Sequence, residues 1–139
     1  MGIAAEQPRR PARLDRQGAE PFDQRRRAAA LRLQQDNAVS YDPETEILVT
    51  HGGIHAYYTA MQSILNPGDD VLIPDPSWAT HSNMAIMLRG NVIRIPAPAE
   101  NGFIPQFDAW LKALTPKTRV IVLNYPSNPT GAFPSREYL

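Results

Sequence analysis

Short apolar runs alternate with longer amphipathic segments along most of this 139-residue chain. The runs near residues 71–73, 91–95 and 119–123 have the length and composition of strands, and the segments between them are long enough for helices. Strands that alternate with helices form βαβ units, in which the strands run parallel and the crossing helices cover the sheet. The sequence therefore predicts an α/β fold in three layers, with a mostly parallel sheet between helices on both faces.

The individual elements follow from this alternation and from the turn residues that separate them. Helices are predicted over residues 23–36, 54–65, 78–88 and 107–114, and strands over residues 46–50, 71–73, 91–95 and 119–123. Ser135 is expected to cap a further helix, of which only one turn is present. Residues 1–21 are rich in Arg, Pro, Gly and Gln and lack an apolar period, so we interpret them as a disordered leader.

Charge and composition argue against several classes of protein. The net charge is zero, and the eight arginines of residues 1–40 are interleaved with five acidic residues. We therefore interpret Arg25–Arg27 as part of a solvated helix face or of a poorly ordered tail, and expect no nucleic-acid partner. The chain has no cysteine, hence no disulfide and no thiolate metal ligand.

No stretch approaches the roughly 18 apolar residues of a membrane span, and the first residues lack the apolar core of a signal peptide. We expect a cytoplasmic protein without a membrane partner.

Three loops that are predicted to follow strands carry residues suited to binding a ligand. The first, His51–His55, contains Gly52 and Gly53 directly before a helix, and the free N–H groups of a helix start favour an anion such as phosphate. An ordinary tight turn explains the same glycines equally well. No metal site is expected at His51 and His55, because His51 precedes the glycines and no third ligand follows at a recognisable spacing.

The second and third loops hold an aromatic ring and a constrained amide. Trp78 follows the loop Pro74–Ser77 at the start of a helix, where an indole can stack on a planar ligand. A place in the core is the simpler interpretation of Trp78 taken alone. In the third loop, Asn124–Gly131, two prolines restrict the backbone around Asn128 and so aim its amide. This amide can donate a hydrogen bond to a phenolate oxygen.

Together these motifs resemble those of the class I/II aminotransferases, the fold-type I enzymes that use pyridoxal 5′-phosphate (PLP). The resemblance runs from about residue 42 to the last residue. It rests on YDPETEILVT at 41–50, NPGDD at 66–70 and NYPSNPTG at 124–131. It implies that residues 22–139 are part of the large PLP-binding domain of such an enzyme.

The resemblance also implies roles for five residues of this chain. Gly53, Ile54 and His55 match the backbone stretch that holds the PLP phosphate. Trp78 matches the aromatic residue that stacks on the pyridine ring. Asn128 matches the asparagine that hydrogen-bonds the 3′-oxygen of the ring.

For activity, the resemblance implies transfer of an amino group from an amino acid to a 2-oxo acid, by a homodimer. The Schiff-base lysine, the aspartate that pairs with the pyridine nitrogen and the arginine that binds the substrate carboxylate are expected beyond Leu139. Lys112 and Lys117 match no lysine motif of the family, so we assign no catalytic residue here and expect this chain alone to be inactive. Two alternatives stay open: a non-catalytic fragment, and a related PLP-dependent lyase.

Overall fold

The structure, a computed structural model, describes residues 16–139, with side chains from residue 21 onward. The chain divides between Thr50 and His51 into two compact units. We call Met1–Thr50 the N-terminal unit and His51–Leu139 the sheet unit.

Helix α1 of the N-terminal unit, Arg16–Asn37, begins seven residues before its predicted start. Its early residues include Gln17, Ala19 and Glu20, which favour a helix. Residues 1–15 of the predicted leader lie outside the described residues, and their assignment stays a prediction. For residues 16–21 the prediction of disorder is wrong, because they belong to α1. Within residues 16–139, no helix combines the length and apolarity that crossing a membrane requires.

A compact turn follows α1 at residues 43–46. The Asp42 carboxylate accepts hydrogen bonds from the Glu44 N–H at 2.9 Å and from the Thr45 hydroxyl at 2.7 Å. These two bonds lower the pKa of the Asp42 carboxyl group. The Glu46 carboxylate in turn accepts a bond from the Asp42 N–H at 2.7 Å. The turn is therefore held by its own side chains.

The strand predicted over residues 46–50 is wrong. Residues 47–50 have no regular secondary structure, and Leu48 is exposed. An apolar run becomes a strand only where a neighbouring strand accepts its backbone hydrogen bonds. No strand in residues 16–139 pairs with residues 46–49. The loop that begins at His51 therefore does not leave a strand.

The sheet unit repeats strand and helix in the predicted order. Its helices are α2 (Gly53–Ile64), α3 (Ala79–Met87) and α4 (Phe107–Ala113), its strands are β1 (Asp70–Asp75), β2 (Asn91–Pro96) and β3 (Thr118–Ile121), and a short 3-10 helix covers Ala99–Asn101. β1 lies in the centre of the sheet, and β2 and β3 pair with it in parallel. The predicted elements of this unit are confirmed to within two residues at each end.

Two apolar clusters place helices on both faces of this sheet. The first joins buried residues of β1, α2 and α3 with one that follows β3: Met61, Val71, Ile73, Ala85 and Val122. The second joins buried residues of β1, β2 and α4: Leu72, Ile95 and Trp110. Successive side chains of a strand point to opposite faces, so neighbouring residues of β1 supply both clusters. The predicted three-layer α/β fold with a parallel sheet is confirmed.

The end of the sheet unit differs from the prediction in two details. The apolar run at residues 120–123 predicts buried side chains throughout, but within residues 16–139 only one side of it is covered: Val122 is buried, whereas Ile121 and Leu123 are exposed. The predicted helix start at Ser135 is a single turn, closed by a hydrogen bond from the Tyr138 N–H to the Ser135 carbonyl at 3.2 Å.

A hydrogen-bond network around Asp70 connects the amino ends of the three strands. The Asp70 carboxylate accepts hydrogen bonds from the Thr115 hydroxyl at 2.5 Å, just before β3, and from the Asn91 amide at 2.7 Å, where β2 begins. The Asp70 N–H donates to the Lys117 carbonyl at 2.8 Å. The bonds from Thr115 and Asn91 lower the pKa of this buried carboxyl group. Its charged form is thus the one the fold stabilises.

Asp70→Asn is expected to lower the free energy of unfolding more than Asp75→Asn, made at the other end of the same strand. An amide cannot accept both hydrogen bonds in the way a carboxylate does, so one of the two bonds to the buried Asp70 side chain is lost. The exposed ion pair of Asp75 with Arg94, at 3.5 Å, contributes little. Urea unfolding of both variants measures the difference, and equal losses would contradict this role of Asp70.

The contribution of Asp70 is also expected to depend on pH. Because folding lowers the pKa of this carboxyl group, its stabilisation is fully present above its unfolded pKa of about 3.9 and disappears as the pH falls through the folded value. The gap between the unchanged chain and Asp70→Asn should therefore be wide near neutral pH and narrow in acid. A gap that stays constant from neutral pH to about pH 2 would argue against the charge as its cause.

Candidate functional site

The carboxyl ends of β1 and β3 open onto a narrow cleft with a mixed polar and apolar lining. The loop after β1 and the loop after β3 form its walls, together with α3. Its polar lining consists of Ser77, His81, Asn124, Tyr125, Ser127 and Asn128. Ligands of open parallel sheets bind beyond the carboxyl ends of the strands, so the cleft lies where a ligand site is expected.

Hydrogen bonds within the third loop hold Asn128 at this cleft. The Ser127 N–H donates to the Ala132 carbonyl at 2.9 Å, and the Gly131 N–H donates to the Ser127 carbonyl at 2.7 Å. Gly131 has a φ of 71°, in the left-handed region that disfavours a side chain. The Asn128 side chain is exposed and makes no hydrogen bond to another residue in the described range 21–139. Its amide is therefore available to a ligand.

Three aromatic rings connect α2 with α3 beside the cleft. Trp78 is the residue that caps the start of α3, and His81 follows three residues later. The ring centroids of Trp78 and His81 are 5.4 Å apart with planes at 90°, and those of Tyr57 and His81 are 4.9 Å apart with planes at 67°. Both contacts are edge-to-face, an arrangement that aromatic pairs prefer. His81 is therefore the neighbour that Trp78 and Tyr57 share.

Several buried polar atoms around the cleft have no hydrogen-bond partner among the described residues. They are the hydroxyl oxygens of Tyr57, Ser77 and Tyr125 and both ring nitrogens of His81. Burial lowers the pKa of His81 and raises the pKa of Tyr57 and of Tyr125, so these three side chains are neutral near pH 7. Buried polar groups in folded proteins are nearly always paired. This group of atoms therefore indicates a place for a ligand or for ordered water.

The start of α2 offers backbone donors with open space in front of them. Gly52 turns the chain into the helix with a φ of 90°, and a Cβ placed on Gly52 or Gly53 would meet no atom within 4 Å. The N–H groups of Gly53, Ile54 and His55 precede the first intrahelical bond, which runs from the Ala56 N–H to the Gly52 carbonyl at 3.1 Å. Such N–H groups favour an anion.

His51 and His55 stack at this helix start instead of converging on a metal. Their rings are nearly parallel, at 12°, with centroids 5.8 Å apart. The His51 N–H donates to Nδ1 of His55 at 3.2 Å. Across residues 16–139, no group of three or more His, Cys, Asp or Glu side chains is arranged to hold a metal ion.

The structure brings part of the sequence-predicted set to one place. Asn128 lines the cleft, Trp78 adjoins it through His81, and the segment Gly53–His55 is connected to it by Tyr57, two residues further along α2. Sequence reasoning missed His81 and the buried hydroxyl groups. The spacing of three residues between Trp78 and His81 was a usable signal, because residues three apart lie on one side of a helix.

The two lysines of the chain lie near the amino ends of the strands, whereas the cleft lies at their carboxyl ends. Lys112 is in the last turn of α4, and Lys117 precedes β3, where its carbonyl accepts the Asp70 N–H. The six residues of β1 separate the amino ends of the strands from the carboxyl ends by about 16–20 Å, at roughly 3.3 Å per residue. Both lysine side chains are too short to span this distance.

The structure is an α/β domain with a cleft at the carboxyl ends of a parallel sheet, where the ligands of such sheets bind. Residues 12–139 match the family described as aminotransferase class I and II. Because this match takes in most of the sequence, the chain belongs to that family. The resemblance drawn from the motifs at residues 41–50, 66–70 and 124–131 is confirmed.

Relatives and solved structures agree with this assignment. The chain is 38% identical over 114 residues to the aspartate/prephenate aminotransferase of Thermus thermophilus, a match that covers 82% of this chain and 29% of the relative. It is 39% identical over 108 residues to the probable N-succinyldiaminopimelate aminotransferase of Mycobacterium tuberculosis, covering 77% and 27%. The solved aspartate aminotransferase of Thermus thermophilus with maleate superposes with a TM-score of 0.78 at 36% identity, covering 83% of this chain and 30% of that one. The chain spans less than a third of the length of these relatives.

Proposed function

We propose that this chain forms part of the cofactor site of a PLP-dependent aminotransferase, which transfers an amino group from an amino acid to a 2-oxo acid. The cleft carries the proposal, because unpartnered buried polar atoms gather there next to Trp78 and Asn128. Family membership supports the same cofactor. The relatives and structures compared above are aminotransferases, and no observation favours a lyase.

The residues present fit PLP. The backbone N–H groups of Gly53, Ile54 and His55 would bind its phosphate at the start of α2, where the glycines leave open space. Trp78 would stack on the pyridine ring. Asn128 would donate its amide hydrogen to the 3′-oxygen. When bound, PLP supplies a conjugated ring that takes up electrons while the amino group is transferred.

The contribution of this chain is to bind and orient. Contacts at the phosphate and at the ring oxygen would fix the ring at two points, and an indole on one face would keep water from that face. The lysine that would bond to PLP, the aspartate that would pair with the pyridine nitrogen and the arginine that would bind the substrate carboxylate are expected beyond Leu139. We therefore propose that this chain alone has no efficient activity. For the whole enzyme we propose a cytoplasmic homodimer.

Asn128→Ala is expected to weaken PLP binding about tenfold or more, because a hydrogen bond to a charged oxygen contributes roughly 1.5–3 kcal/mol. Titration of PLP followed by its absorbance measures the change. Asn83→Ala, at an exposed position on α3, is the matched control and should leave the affinity unchanged.

A 3′-O-methyl analogue of PLP makes this test specific to one atom. Its ring oxygen is uncharged, so the affinities of the unchanged chain and of Asn128→Ala for the analogue should nearly agree. Equal PLP affinity of the two chains would remove the proposed role of Asn128. Absence of saturable PLP binding by the unchanged chain would overturn the proposed function.

A further inference from the structure

His81 is a buried polar side chain at the junction of α2, α3 and the cleft. Its side chain is enclosed by protein, with 6% of the residue surface exposed, and both of its ring nitrogens lack a hydrogen-bond partner among the described residues. Within residues 21–139, the contacts seen for this side chain are therefore ring contacts. They join it to two other rings: Trp78 on its own helix and Tyr57 on α2.

The contacts of Trp78 explain why this arrangement bears on function. Trp78 caps α3 without a side-chain hydrogen bond to the helix backbone. In residues 21–139 its ring contact is with His81, at 5.4 Å and 90°. An indole held by one perpendicular ring has its plane set by that ring, because the edge-to-face attraction depends on the angle between them.

We propose that His81 is a positioning residue that fixes the plane of the Trp78 indole, using Tyr57 as its support from α2. This inference rests on the proposed function for its meaning, since Trp78 is the residue proposed to stack on the cofactor. It also links the helix that would bind the phosphate to the indole that would cover the ring, through one chain of three aromatic side chains.

The protonation state of His81 offers a readout that a merely space-filling residue lacks. The Tyr57 ring from α2 contacts His81, Tyr125 from the loop after β3 lines the same cleft, and no charged side chain lines this cleft within residues 21–139. Burial raises the pKa of both tyrosines and lowers the pKa of His81. On acidification, His81 is therefore the group of this cluster that changes charge.

The test labels the chain with 5-fluorotryptophan and records fluorine NMR spectra without cofactor. The sequence contains two tryptophans, so each spectrum has two signals, and Trp110 in the second apolar cluster serves as an internal control. His81→Ala removes the ring, and His81→Phe keeps a ring but removes the titrating nitrogens. Trp110→Phe assigns the signals.

The expected result has three parts. His81→Ala shifts or broadens the Trp78 signal while the Trp110 signal stays in place. In the unchanged chain, the Trp78 signal moves with pH around a midpoint below the ordinary histidine value, because burial lowers the pKa of His81. In His81→Phe, the Trp78 signal stays narrow and no longer moves with pH.

Two results would overturn the proposal. One is a Trp78 signal that is the same in His81→Ala as in the unchanged chain. The other is a pH-dependent shift that persists in His81→Phe, and this second result decides the matter even if His81→Ala does not fold.

Cofactor binding then separates this inference from the proposed function. If both hold, His81→Ala weakens PLP binding roughly threefold to tenfold, the effect of one aromatic pair, and His81→Phe changes it less. If the unchanged chain does not bind PLP, the proposed function fails, while the fluorine spectra, recorded without cofactor, still establish or refute the positioning role of His81.

Discussion

Leu72→Ala is expected to lower the free energy of unfolding by about 2–5 kcal/mol. Leu72 lies in the middle of the central strand, is 0% exposed, and packs in one cluster with Ile95 and Trp110. Its truncation removes apolar contacts and leaves a cavity between β1 and α4, which close packing prevents from collapsing fully. A small domain has a total stability of only about 5–15 kcal/mol, so the loss should be visible in urea and in heat.

Leu48→Ala is the matched control for this change. It removes the same atoms from a side chain that is 71% exposed, and such surface changes usually stay within about 0.5 kcal/mol. The difference between the two urea midpoints isolates the effect of burial. Similar midpoints for the two variants would mean that the cluster around Leu72 is not the core of the sheet unit.

Amino transfer is expected to be undetectable for the purified chain supplied with PLP, an amino acid and a 2-oxo acid. The physical reason is the position of Lys112 and Lys117 near the amino ends of the strands, opposite the cleft. A lysine must contact the aldehyde of the cofactor to bond to it. Reduction with borohydride followed by peptide mapping should therefore give no site-specific adduct on either lysine.

The double variant Lys112→Arg/Lys117→Arg provides the control. It keeps both charges and should leave the non-covalent PLP affinity unchanged. Turnover by the unchanged chain, together with a specific adduct at one of these lysines and its loss in the double variant, would show that the lysine assignment is wrong.

The order of elements in the sheet unit could be predicted because the apolar pattern, the segment lengths and the turn residues all predict the same strands and helices. The apolar run at residues 71–73 is short and rich in branched side chains, whereas the stripe from Ile54 to Leu65 has a helical period and ends at Asn66-Pro67-Gly68. Local pattern, length and turn residues agree there, and the bounds of α2 and β1 fall within two residues of the prediction.

The failures occur where the outcome depends on a partner that the local sequence does not reveal. Residues 46–50 have the composition of a strand, but pairing decides whether a strand forms. The apolar run at 120–123 likewise gives no sign that, within residues 16–139, β3 pairs with one strand only and has an exposed side.

The candidate site was predictable where a motif is long and was missed where one residue acts alone. The eight residues Asn124–Gly131 identify the family and place Asn128 at a loop that does line the cleft. His81 belongs to no motif, and its importance comes from burial and from two rings that it touches. Neither burial nor ring contacts can be derived from the type of one residue in a sequence.

The Asp70 network and the cleft lie at opposite ends of the same central strand. Substitutions in the loops that shape ligand preference therefore leave the polar anchor of the three strands untouched, and changes at the anchor do not alter the residues that face a ligand. A scaffold arranged in this way can exchange its binding loops while the hydrogen bonds that stabilise its sheet stay the same. This separation offers a physical route by which one sheet comes to serve several different substrates in different proteins.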